Sequence, residues 1–140
     1  MAVLYEMKIM FIFTSIYASV LGLVFVFLTI RTIGLRRSNK VALGTGGVAA
    51  LERAIRAHSN FAEYVPLSLF LILCAELQGV HSLIVNGLGL LLLIGRTIHS
   101  YGISQVEEKF SFRVTGMTMT IASIVFAAMT NLGNAIVHLI

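Results

Sequence analysis

No charged side chain interrupts residues 9–30. A helix rising 1.5 Å per residue needs about 20 residues to cross a hydrocarbon core ~30 Å thick, so this run is long enough to span a bilayer. Three more segments, 48–77, 82–101 and 112–137, are predominantly apolar and of similar length. A bilayer offers no water to backbone N–H and C=O groups, so such segments must be helices. The alternating pattern of a membrane barrel strand is absent. Four spans with short connections use nearly all of the 140 residues, which leaves no room for a soluble domain. The expectation is a single all-α domain over residues 1–140, an integral membrane four-helix bundle.

Composition agrees with this. Charged residues make up 11% of the chain and hydrophobic ones 58%, whereas soluble domains carry roughly a quarter charged residues. The net charge of +4 sits at the ends of apolar runs, not on a solvated patch, so it does not indicate nucleic-acid binding. Arg31, Arg36, Arg37 and Lys40 follow the first run, and Lys109 and Arg113 flank the junction of the third and fourth. The positive-inside tendency places both junctions in the cytoplasm and both termini outside, with Lys8 opposing. The first run exceeds the ~7–15 apolar residues of a cleavable signal, so it reads as an uncleaved span. The single Cys74 excludes an intrachain disulfide and reads as a small packed hydrophobe. Gly44, Gly46 and Gly47 mark a break between the first two helices, and Gly102 marks the end of the third.

The second segment differs from the others in its first half. On a wheel advancing 100° per residue, Glu52, Arg53, Arg56, Ser59, Asn60 and Glu63 share one arc of about 120°. His58 lies off that arc. Glu52 and Arg56, Arg56 and Asn60, and Asn60 and Glu63 stand three or four apart, so these neighbours can touch. Two readings compete: a helix end projecting into water, or a polar site turned toward other helices. Glu63 favours the second, because it directly precedes an apolar run and ionisable residues in spans are costly, inward-facing and functional.

Helix alternation brings further groups to the same membrane face. The third segment ends with Arg96, His99 and Tyr101, and the fourth begins near Arg113. Arg53, Arg56, Arg96 and Arg113 outnumber Glu52 and Glu63, an excess of guanidinium that a bound anion would neutralise through bidentate contacts. His58 and His99 lack partners at metal-ligand spacing, so no metal site is expected. The glycines before helix two could offer amides to an anion, but the lysine and hydroxyl of a phosphate loop are missing.

The run Glu52-Arg53-Ala54-Ile55-Arg56-Ala57-His58-Ser59-Asn60-Phe61-Ala62-Glu63-Tyr64-Val65-Pro66 closely resembles the helix-two signature of the MAPEG superfamily, membrane-associated proteins of eicosanoid and glutathione metabolism. Its specific part is Arg-x-x-x-Asn-x-x-Glu. Gly95-Arg96-x-x-His99 resembles the helix-three motif, and Arg113 stands where the family has an arginine at the start of helix four. The likeness covers nearly the whole chain and is greatest to the small bacterial members, which implies a bacterial inner membrane location. It also implies a homotrimer binding glutathione between subunits near the cytoplasmic face. Residues matching Arg56, Asn60, Glu63 and Arg96 would hold the tripeptide, and the one matching Arg113 would stabilise its thiolate. With the neighbouring Arg53 and His99 from the polar cluster, these form the candidate site. The implied activity is glutathione transfer to lipophilic electrophiles, or reduction of hydroperoxides, arriving from the bilayer.

Two departures bear on this expectation. Ser59 replaces an arginine of the prostaglandin E synthase-like members, and Met117 stands where eicosanoid enzymes carry a tyrosine against glutathione. A non-catalytic branch of the superfamily binds lipids and assists a partner enzyme, and it supplies the alternative expectation of a lipid-binding or scaffold protein. A proton or ion pathway would rest on the intramembrane charges alone.

Overall fold

The computed structural model describes residues 12–139. They form four helices: α1 over Ile12–Ser38, α2 over Ala49–Leu77, α3 over Ser82–Ser104 and α4 over Phe110–Leu139. Each is long and apolar enough to cross a membrane. The predicted start at residue 9 lies outside the described residues.

Two predicted ends need correction. α1 does not stop at residue 30 but continues through Arg31, Arg36 and Arg37 to Ser38. Charge ends a span without ending a helix, since arginine is a good helix former in water. α3 likewise passes through Gly102 to Ser104. That glycine serves close packing: a Cβ there would lie 2.7 Å from the Arg113 amide nitrogen at the start of α4. The Gly44–Gly47 break is as expected, with Gly44, Gly46 and Gly47 all at positive φ, where glycine has no steric cost.

The α2–α3 pair forms the centre, α1 packs against both, and α4 shares its largest contact with α3. The core runs along this axis through Leu21, Phe61, Val65, Ile72, Val85 and Leu92. Large apolar side chains such as Leu23, Phe27, Phe70, Phe126 and Met129 lie outside it, exposed on the outer face of the four-helix unit. His58, off the polar arc, is explained by the α1 contact. Its ring stacks on Phe25 at 4.6 Å and its Nε2 lies 3.1 Å from Thr29 Oγ1. Spanning hydroxyls bond back into their own helices, as Thr29, Thr97 and Thr118 do to the carbonyls four residues earlier.

At the end remote from the polar arc, Glu76 near the close of α2 caps α1. Its two carboxylate oxygens accept from the amides of Phe13 and Thr14, each at 2.9 Å. A negative charge near the N-terminal end of a helix is favoured by the helix dipole. Glu76→Ala is expected to cost about 0.5–2 kcal/mol, read as a lowered thermal midpoint of the purified protein in detergent. An unchanged midpoint would show that the cap contributes nothing.

Candidate functional site

The polar arc of α2 lines a cavity of about 510 Å³ at the end of the bundle where α2 begins. Glu52, Arg53, Arg56, Ser59, Asn60 and Glu63 form one wall. Opposite them stand Ile103 from the last turn of α3, Glu108 from the α3–α4 connection and Arg113 from the first turn of α4. The 3.6-residue period alone would place the arc on one side of α2. The fold adds that this side faces α3 and α4.

Glu108 is the residue that sequence reasoning missed. Its Oε1 lies 2.6 Å from Arg113 Nη1 and its Oε2 lies 3.1 Å from Arg53 Nη1. One carboxylate therefore clamps α2 to the start of α4 across the mouth of the cavity. With it the count becomes four arginines (Arg53, Arg56, Arg96, Arg113) against three glutamates (Glu52, Glu63, Glu108), a smaller cationic excess than expected. The hydrogen bonds from Arg113 and then Arg53 hold the Glu108 carboxyl below its ordinary pKa. Such a group contributes stability above its ordinary titration range and loses it only as pH falls through the lowered value. The clamp is therefore intact at neutral and mildly acidic pH. Because Glu108 competes with any bound anion for both guanidiniums, Glu108→Gln is expected to tighten sulfate binding about three- to fivefold in calorimetry. Weaker binding would mean that the clamp organises the site instead of blocking it.

Arg96 and His99 are placed differently from the other candidates. Arg96 is completely buried behind the cavity wall. Its Nη2 donates to Asn60 Oδ1 at 2.7 Å and its Nη1 to Thr120 Oγ1 at 3.5 Å. Its guanidinium lies 5.7 Å from the Phe61 ring centroid and 5.6 Å from that of Tyr64. Among the described residues no carboxylate pairs with it, so aromatic faces and neutral acceptors carry the charge. Because Arg96 occupies the Asn60 oxygen, the amide N–H groups of Asn60 remain as donors for whatever fills the cavity.

His99 is also buried and lines a second cavity of about 380 Å³. Its Nδ1 lies 2.9 Å from the Arg113 carbonyl. A carbonyl only accepts, so Nδ1 carries the hydrogen. The second cavity is walled largely by apolar side chains of α4, including Phe110, Val114, Met117 and Ile121. It meets the first at Asn60, Ile103 and Arg113, which line both. Ser59 and Met117, the two departures noted in the sequence, line the polar and the apolar cavity respectively. The Gly44–Gly47 loop borders neither.

Four spanning helices, with an ionisable cavity and an apolar cavity meeting at one arginine, define an integral membrane protein with a polar site at one end of the bundle. The chain belongs to the MAPEG family, whose model matches residues 14–133. It is 33% identical over 119 residues to the inner membrane protein YecN of Escherichia coli K12, a match covering 85% of this chain and 89% of that protein. The YecN protein of E. coli O6:H1 matches to the same extent.

Proposed function

We propose that the protein is a glutathione-dependent transferase or peroxidase acting on lipophilic electrophiles or hydroperoxides, working as a homotrimer in a bacterial membrane. The observation that carries this reading is the meeting of the two cavities at Arg113. A peptide thiol is zwitterionic, and the polar cavity presents both signs of charge. Arg53, Arg56 and the Asn60 amide suit its carboxylates, and Glu52 and Glu63 suit its ammonium group. A lipophilic co-substrate suits the apolar walls of the second cavity and could enter from the bilayer.

At the junction, the Arg113 guanidinium would favour the thiolate over the thiol. The thiolate sulfur would attack the electrophilic carbon and the leaving group would depart with the bonding electrons. With a hydroperoxide, attack on the terminal oxygen would break the O–O bond, releasing the alcohol once its oxygen takes a proton and leaving a glutathione sulfenic acid. A second glutathione thiol would then form the disulfide and release water. Arg53, Arg56, Asn60 and Glu63 bind and orient the tripeptide in this scheme, while Arg96 and His99 act behind them by holding Asn60 and the Arg113 backbone.

The test is conjugation of 1-chloro-2,4-dinitrobenzene by the purified protein, together with glutathione titration by calorimetry in detergent. Saturable binding and turnover are expected, and absence of glutathione binding would overturn the reading. Met117 in the apolar cavity favours the second reading, a lipid-binding or scaffold protein of the same fold. In that case glutathione or lipid would bind without turnover.

A further inference from the structure

A third cavity, of about 600 Å³, lies between α1 and α3 and touches neither of the two just described. Its α1 wall runs from Val20 to Arg31 and includes Leu23, Phe27 and Leu28. The eleven residue-to-residue steps from Val20 to Arg31 rise about 16 Å, roughly half the hydrocarbon thickness and so the depth of one leaflet. Leu23 and Phe27 are widely exposed, so the groove opens on the outer face of the four-helix unit.

Two polar features distinguish this groove from an ordinary gap between helices. Arg31 stands at its head. One Nη2 hydrogen bond, 3.0 Å to the Ser104 carbonyl, caps the end of α3. A guanidinium has five N–H donors, and among the described residues no carboxylate pairs with Arg31. Ser100 lies one turn deeper on the α3 wall, 5% exposed, and its Oγ has no hydrogen-bond partner. Spanning hydroxyls ordinarily bond back to the carbonyl four residues earlier, as Thr97 does in this same wall, but Ser100 does not. A buried donor without an acceptor is costly in hydrocarbon, so this hydroxyl calls for an acceptor within the groove.

The groove thus presents a cation at the membrane surface, a hydroxyl donor one helical turn below it, and an apolar trough one leaflet deep. Phosphate, ester carbonyl and acyl chain follow one another in that order along a phospholipid. We propose that the α1–α3 groove binds an anionic phospholipid, its phosphate on Arg31, an ester carbonyl on Ser100 Oγ and one acyl chain along Leu23, Phe27 and Leu28. This site is independent of the thiol chemistry, since it shares no residue with the two cavities at Arg113.

Native mass spectrometry of the full chain tests it, with titration by dioleoyl phosphatidylglycerol or by 1,2-dioleoylglycerol, which has the same acyl chains and esters but no phosphate. The anionic lipid is expected to be retained about tenfold more tightly, the effect of one charge-assisted contact. Arg31→Gln should erase the preference, whereas Arg37→Gln, on the same helix but outside the groove, should leave it intact. Ser100→Ala should weaken both lipids, because both carry the ester. Leu23→Trp should do the same by filling the trough from its exposed side with little risk to folding. Equal retention of the two lipids would overturn the proposal, as would a preference that survives Arg31→Gln. So would near-complete disulfide cross-linking between copies of a Leu23→Cys variant in a Cys74→Ala background, which would show a second chain covering the groove.

Discussion

Arg113→Ala protein is expected to conjugate an aromatic electrophile about 10²–10³-fold more slowly than the unaltered chain, the loss typical of removing one preorganised donor at a developing or resident anion. Arg113 lines both cavities, and its partly exposed guanidinium is already held by one carboxylate oxygen of Glu108. A free thiol has pKa ~8.5, so only a few per cent is thiolate at neutral pH. A guanidinium beside the sulfur favours the anion and lowers that value. The rate of the unaltered protein should therefore level off near neutral pH. In the alanine variant it should keep rising until pH approaches the free-thiol value. Glutathione binding should fall far less than turnover, because Arg53, Arg56, Asn60 and Glu63 remain. Arg113→Lys should restore part of the rate, since charge is kept while the planar fork is lost. A rate and pH profile unchanged in Arg113→Ala would remove the arginine from the chemistry. Such a result would favour a scaffold, in which Arg113 with Glu108 merely ties α4 to α2.

Much of this site was legible in the sequence because the helical period is strict. Once residues 48–77 are taken as a helix, Glu52, Arg53, Arg56, Asn60 and Glu63 must share a face, and the structure places all of them on one cavity wall. The direction of that face was only suggested, by the position of Glu63 against an apolar run. Three features were not legible, each for a different reason. Glu108 lies in the connection between α3 and α4, where no periodicity constrains direction, so its bridge to Arg53 depends on tertiary placement. Arg96 could not be recognised as fully buried, since its surroundings come from Asn60, Phe61 and Tyr64 on α2 and Thr120 on α4. Gly102 was read as a helix end because glycine marks both chain breaks and close helix contacts, and spacing does not separate the two. Lipid exposure adds a further difficulty, because apolar residues lie both inside and outside a membrane bundle. The contrast that reveals a core in a soluble helix is absent from α1, so the surface on which it packs was not legible either.

The contact between α3 and α4 is where a single methyl group should do the most structural damage. A Cβ on Gly116 would lie 2.6 Å from the Gly95 carbonyl oxygen and would press on the backbone nitrogen of His99. A Cβ on Gly95 would in turn come within 3.0 Å of the Gly116 carbonyl. Backbone stands on both sides, so no rotamer change relieves the clash and the helices must separate. Inside a bilayer, helix association depends on such close packing, because lipid tails are as apolar as the side chains they replace. Gly116→Ala is therefore expected to cost about 1–3 kcal/mol as an overpacked site, a large share of the ~5–15 kcal/mol that holds a typical domain together. The effect should extend beyond stability. Arg113 lies one turn before Gly116, its carbonyl is bound by His99, and its amide lies against Gly102. Moving α4 outward displaces the guanidinium from the junction of the two cavities. Turnover per folded molecule should therefore fall even at temperatures where the variant remains assembled. Gly87 and Gly133 provide controls, since a Cβ at either meets nothing within 4 Å, and alanine there should be neutral or stabilising in helix propensity. Thermal unfolding of the three variants in one detergent, with conjugation rates normalised to folded protein, separates the effects. If Gly116→Ala matched the controls in both measurements, the close approach of α3 and α4 would not be what holds Arg113 in position.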